Sequence, residues 1–256
     1  MTVTEASQRR AERLSVESFP SRAAMAAAAA SDIAAAFRAA LSRQANVRAI
    51  FAAAPSQADT LAALVVAPGI DWSRVTAFHM DEYIGLPTGA PERFASWLDQ
   101  HVFDRAPFGQ VHRIVPEPDA QRAVAGYAAL LNEAPIDIVC LGIGVNGHLA
   151  FNDPPVADFN DPQTVKIVDL DDVCRQQQVD DKCFPTFADV PRQAITLTIP
   201  TLLRGREMFC VVPGSLKRNA VRDTLYGPIA TSCPASILRT TSACTLYLDP
   251  ESDPDV

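Results

Sequence analysis

IDIVCLGIGVNGHLAFNDPP, residues 136–155, is apolar without alternation in its first half and dense in glycine in its second. An apolar run of this kind is a strand buried on both faces, and such strands belong to sheets covered by helices above and below. Runs of the same character recur at VRAIFA (47–52), VTAFHM (75–80), QVHRIV (110–115), TVKIVDL (164–170), AITLTI (194–199), MFCVVP (208–213) and CTLYL (244–248). Between them lie helical stretches: SQADTLAALVV, PERFASWLDQHV, DAQRAVAGYAALLNE and SLKRNAVRDTLYG. Upstream, Ser21 is placed to cap an Ala-rich helix reaching about Ser42, its hydroxyl accepting from the first unpaired amides. Alternating strand and helix implies an α/β fold with a largely parallel sheet and right-handed crossovers. Ligands of such folds bind beyond the carboxyl ends of the strands.

Composition narrows the function. The 256 residues are 48% hydrophobic, enough for one sizeable core, and no composition shift or repeat divides them, so a single domain over 1–256 is expected. A net charge of −8 with scattered Lys and Arg excludes a nucleic-acid surface, which needs clustered cations. The partner expected is a small molecule, with a homo-oligomer left open. The six cysteines show no CxxC or zinc-finger spacing, and read as buried thiols of a reducing, cytoplasmic compartment. No metal or cofactor is called for. The polar start MTVTEASQRRAERLSVES and the charges at Asp32 and Arg38 argue against a signal peptide or membrane span. The closing DPESDPDV reads as a solvated tail.

Four strand ends carry polar or Gly-rich chemistry: AAPSQAD, MDEYIGLP, the stretch quoted first, and PGSLKRNAV. Gly214 and Ser215 form a strand-to-helix turn with Lys217 in its first helical turn, a place that favours an anion. Ser56 could serve the same anion. Alternation sends Asp81 and Glu82 to different sides, so one of them faces the crevice as a candidate base. Gly142, Gly144 and Gly147 spell G-x-G-x-x-G behind a strand, the outline of a dinucleotide loop. That loop needs a helix opening at the turn, and Pro154 and Pro155 leave room for about two helical turns at most. The other reading rests on His148, followed five residues later by Asp153. A neutral imidazole exchanges protons near pH 7, and a carboxylate beside it fixes its tautomer.

Together FHMDEYIGLP and LGIGVNGHLAFNDPP resemble the two signature segments of the glucosamine-6-phosphate deaminase (isomerase) family, F-N-M-D-E-Y-x-G-L-P and L-G-x-G-x-[DN]-G-H-[IL]-x-F-N-E-P. The resemblance extends more weakly through DVPRQAITLTIPTLL and VVPGSLKRNAV. It implies a Rossmann-like three-layer α/β/α sandwich and conversion of glucosamine 6-phosphate and water to fructose 6-phosphate and ammonia, without metal or redox cofactor. By the same resemblance Asp81 is the base that moves the C2 proton to C1. His148 handles the ring-oxygen proton, with Asn146 and Asp153 as partners, and Lys217 and the Ser56 loop hold phosphate. Two related readings share the fold: 6-phosphogluconolactonase, whose patterns resemble W-x-D-E-R and G-H-T-A-S-L-F, and a sugar-phosphate-sensing module without catalysis.

The chain departs from the family pattern at four places. Asn146 stands where many members have Asp and cannot ionise. Asp153 replaces Glu and is shorter by about 1.5 Å, which predicts a water-mediated contact with His148. The loop FAAAPSQAD lacks glycine, so an anion nest there would draw on the side chains of Ser56 and Gln57. The family's lid arginine has Lys182 or Arg175 as its counterpart.

Overall fold

The computed structural model describes residues 6–256. These residues form eleven strands and seven α-helices. The central sheet takes the strands in the order β1 (Ser7–Ala11), β2 (Leu14–Ser18), β11 (Cys244–Leu248), β10 (Glu207–Val212), β7 (Ile138–Leu141), β3 (Val47–Phe51), β4 (Val75–His79) and β6 (Gln110–His112). Every neighbouring pair is parallel except β1 with β2.

The non-alternating runs do what their composition predicts, because both faces of the sheet are covered. On β3, Val47, Ala49 and Phe51 pack with α1 (Arg22–Arg43), α2 (Ala58–Val65) and α3 (Phe94–His101), while Ile50 points to the opposite core. That second core contains Tyr127 and Leu131 of α4 (Ala120–Asn132) and Val221 and Leu225 of α7 (Arg218–Tyr226). The result is a Rossmann-like three-layer sandwich. One charged residue breaks the apolar pattern of β3: Arg48 lies 4.9 Å over the Phe78 ring and donates to the carbonyls of Leu130, Leu131 and Ala134. It satisfies the carbonyls that end α4, which is how a buried guanidinium is tolerated.

Ser21 caps α1 as expected, its hydroxyl accepting from the Ala24 amide at 3.1 Å. α1 is long and apolar enough to cross a membrane, but ten of its residues, from Met25 to Leu41, are buried against the sheet. It is a core helix.

Two sequence expectations need correction, and one segment forms structure to which no element was assigned from sequence. TVKIVDL and AITLTI do form strands, β8 (Val165–Asp169) and β9 (Gln193–Leu197), but these leave the parallel sheet and pair antiparallel with β5 (Asp81–Tyr83) in a small second sheet, order β5-β9-β8. The polar N-terminal segment is a hairpin whose second strand buries Leu14, Val16 and Ser18; residues 1–5 lie outside the described residues. The last residues are not a solvated tail, since Asp249, Ser252 and Asp253 are buried. Asp253 accepts two hydrogen bonds from Arg9, at 3.0 and 2.7 Å, and one from Ser18. Asp249 accepts from the Gly214 amide at 3.1 Å. The terminus thus clasps the hairpin to the turn after β10.

Candidate active site

The strand ends converge as the topology requires. A cleft lies beyond the carboxyl ends of β3, β4, β7 and β10, and its walls include Ser56, Gln57, Asp81, Gly144, His148 and Lys217. Phe94 and Phe151 supply an apolar wall and stack at 5.5 Å, with Tyr83 behind them.

Asp81 begins β5, immediately past the end of β4. It is 6% exposed, and among the described residues no donor reaches its carboxylate. Burial, and then the negative charges of Glu82 and Asp153, push its pKa well above the ordinary 3.8. A carboxylate left without donors in an apolar wall is a strong base. Glu82 points away, as alternation predicts, and accepts from the amides of Tyr83, Phe94 and Ala95 at 2.9, 3.2 and 3.0 Å. It caps the start of α3, and burial against those donors leaves its pKa at about 7.

His79, at the end of the apolar run of β4, holds Asp81 in place. Its Nε2 accepts from the Ile114 amide at 2.8 Å, which fixes the proton on Nδ1, and Nδ1 donates to the Asp81 carbonyl at 2.9 Å. Complete burial pushes its pKa down to about 3, so it is neutral throughout the working range. Its position two residues before Asp81 is the only signal the sequence carries of this role.

In the turn after β7, no helix opens. A short bridge between Leu149 and Asn152 follows instead, and the next helix, α5 (Asp172–Asp180), begins well downstream. The dinucleotide reading therefore fails, and the glycines serve His148. A Cβ on Gly144 would stand 2.2 Å from the imidazole, and Gly147 adopts φ +83°. Only glycine lets the ring lie on the backbone there. His148 Nδ1 lies 2.8 Å from Asn146 Oδ1 and 2.9 Å from Asp153 Oδ1, while the Asn146 amide donates to the same Asp153 oxygen at 2.9 Å. The contact with Asp153 is direct and not water-mediated, so the shorter carboxylate still reaches. Two acceptors keep the proton on Nδ1 and leave Nε2 as the acceptor at the cleft. Burial opposes ionisation of Asp153, but His148 and Asn146 outweigh it and hold its pKa below the ordinary 3.8. Asn146 and Asp153 stand behind His148.

The end of the cleft that carries Lys217 is built from two turns. Lys217 is 8% exposed, and among the described residues its ammonium has no hydrogen-bond or ion-pair partner. Burial lowers its pKa, with Asp181 opposing. Ser56 opens the turn leading into α2, opposite the Gly214 turn. Gln57 spends its amide on the Val211 carbonyl at 2.9 Å, which ties the two turns together.

Neither lid cation lines this cleft. Arg175 stacks at 4.0 Å over Phe187 and donates to the carbonyls of Phe187 and Val190. Lys182 is exposed along an adjoining groove beside Pro91 and Trp97. The helix carrying Arg175 was not read from sequence, being polar throughout, although Asp171 caps it. Its Gln177 accepts from the Val145 amide and its Gln178 from the Tyr83 hydroxyl, at 2.9 and 2.8 Å. These two contacts latch α5 to both signature loops.

An unpaired carboxylate and an oriented imidazole on this fold mark a class: α/β enzymes that move protons on a small molecule held beyond the strand ends. Comparison with known proteins makes the class specific. The sequence profile of the glucosamine-6-phosphate isomerases/6-phosphogluconolactonase family matches residues 20–247, and the chain belongs to that family. It is 32% identical over 184 residues to the glucosamine-6-phosphate deaminase of Exiguobacterium sibiricum, covering 72% of this chain and 71% of that one. The deaminase of Bacillus thuringiensis is 34% identical over 186 residues, covering 72% and 68%. Among solved structures, a monomeric glucosamine-6-phosphate deaminase superposes with a TM-score of 0.85 at 24% identity, covering 93% of this chain and 98% of its own. The 6-phosphogluconolactonase of Thermotoga maritima reaches 0.71 at 19% identity, over 88% and 94%. These structural likenesses establish a common fold.

Proposed function

We propose that this protein is a cytoplasmic glucosamine-6-phosphate deaminase, releasing ammonia from C2 of an aminosugar phosphate and leaving fructose 6-phosphate. The observation that carries the reading is the donor-free Asp81 carboxylate in the same cleft as His148 Nε2. Isomerisation needs a base that takes a proton from one carbon and returns it to its neighbour, and a carboxylate with a raised pKa suits both halves.

The roles follow the geometry. Lys217 and the Ser56 turn hold the phosphate, with the helix start behind Ser56 adding its dipole. His148 Nε2 takes the anomeric hydroxyl proton and returns it to the ring oxygen as the C1–O5 bond breaks, giving the open aldehyde. Asp81 removes the C2 proton to form an enolamine and delivers it to C1, leaving an imine at C2. Water adds to that carbon, and ammonia departs to give the ketone. Asn146 and Asp153 keep His148 in the tautomer these transfers need. Six free cysteines, five of them buried, fit a reducing compartment.

The lactonase reading has support from fold but not from the motifs, since DEY and GHLAFND stand where its patterns have D-E-R and G-H-T-A-S-L-F. A panel of glucosamine 6-phosphate, free glucosamine and 6-phosphogluconolactone separates the readings. Ammonia release from the first alone is expected. Lactone hydrolysis without ammonia release would overturn the assignment.

A further inference from the structure

Behind His148, the thiol of Cys174 on α5 meets the two residues of the catalytic turn. The donor atoms of His148, Asp153 and Cys174 all lie within 4.8 Å of one another, and all three residues are buried, at 8%, 0% and 0% exposure. A second observation points to a ligand. Asp153 Oδ2 is buried, and among the described residues it has no partner other than the Cys174 thiol beside the carboxylate, a weak donor, whereas buried carboxylate oxygens ordinarily have strong donors.

We propose that His148, Asp153 and Cys174 form a binding site for a soft divalent cation, Zn²⁺ or its analogue Cd²⁺, whose occupation shuts the acid–base centre down. One nitrogen, one oxygen and one sulfur donor make a set that selects zinc-like ions over magnesium or calcium. Tetrahedral ligands at 2.0–2.3 Å from zinc stand about 3.3–3.8 Å apart, so donors within 4.8 Å of one another shift by about 1–1.5 Å or less, Asp153 Oδ1 moving out from its 2.9 Å contact with Nδ1.

The protons balance. The Cys174 thiol proton leaves to solvent as the sulfur–metal bond forms, and the imidazole proton passes from Nδ1 to Nε2 as Nδ1 takes the metal. His148 then presents an N–H to the cleft where it had presented a lone pair, and it cannot accept the hydroxyl proton. Burial, with Asp153 beside it, holds the Cys174 thiol well above its ordinary value, so the uncomplexed site is a protonated thiol. Metal binding at the site does not depend on the proposed reaction, but loss of activity on binding does.

The test is a Cd²⁺ titration of the reduced, full-length protein, read by the ultraviolet absorbance of the cadmium–thiolate bond without substrate and, in parallel, by ammonia release. Wild type is expected to show a stoichiometric thiolate band and to lose activity, with EDTA restoring it. Cys174→Ser and Cys174→Val should keep their activity, lose the band and need at least about tenfold more metal for inhibition. Cys183→Ser, a control on the cleft wall, should retain the band. A band and inhibition unchanged in both Cys174 variants would overturn the site, as would the absence of any stoichiometric band in wild type. Since the band is read without substrate, a protein lacking deaminase activity still reports on the metal site.

Discussion

Asp81 gains its character from what does not touch it. With no donor on its oxygens among the described residues, apolar rings at one side and like charges nearby, its proton is held well above the ordinary carboxylate value of 3.8. The sign is definite: below its pKa Asp81 is protonated and cannot act as a base, so kcat/KM rises with pH along an acid limb displaced upward. Glu82 contributes to that displacement through its charge. Glu82→Gln removes the charge, and its pH–rate profile should show the limb at lower pH than in wild type. His148 is organised by the opposite means, with two acceptors on one ring nitrogen and none on the other. The sequence made Asp81, His148 and Lys217 legible because each sits at the end of a buried strand. It did not reveal His79, because holding a backbone carbonyl leaves no pattern in residue type.

At the scale of elements, the turn after β7 is the most constrained part of the site. Gly144 has no room for a methyl group because the His148 ring occupies that volume. Gly144→Ala should fold, displace the imidazole by about 1 Å and lower kcat by roughly 10²-fold; circular dichroism with steady-state kinetics checks both parts. The strands of the central sheet were legible since burial on both faces removes polar residues from them. β8 and β9 looked the same in sequence but pair elsewhere. Val168 and Ala194 pack into the core that holds Tyr83 and Phe151, while Val165, Ile195 and Leu197 enter the second core, and strand partners are not encoded in composition. The polar α5 gave no amphipathic signal, because its buried face is made of Cys174, Gln177 and Gln178, which bind loops and not a core.

Over the whole molecule, the first and last segments close on each other. Arg9, Ser18 and Asp253 join the N-terminal hairpin to the C-terminus, and Asp249 reaches from the same terminus to the Gly214 turn that presents Lys217. An acidic, proline-rich ending reads as solvated because its charges find partners 244 residues away in sequence, beyond any local pattern. Asp253→Ala leaves Arg9 and Ser18 without their shared acceptor and should lower stability by about 2 kcal/mol in urea unfolding. The same frame explains why the family was recognisable from two short segments. They are two strand ends on either side of β3, from β4 and β7.

The central claim is that Asp81 carries the proton that turns an aminosugar phosphate into a ketose phosphate and ammonia. The direct measurement is ammonia released from glucosamine 6-phosphate by wild type and Asp81→Asn, with melting temperature recorded in the presence of the substrate. The expected result is release matched mole for mole by fructose 6-phosphate in wild type, and none from Asp81→Asn although the sugar still raises its melting temperature. Turnover at the wild-type rate in Asp81→Asn would contradict the account.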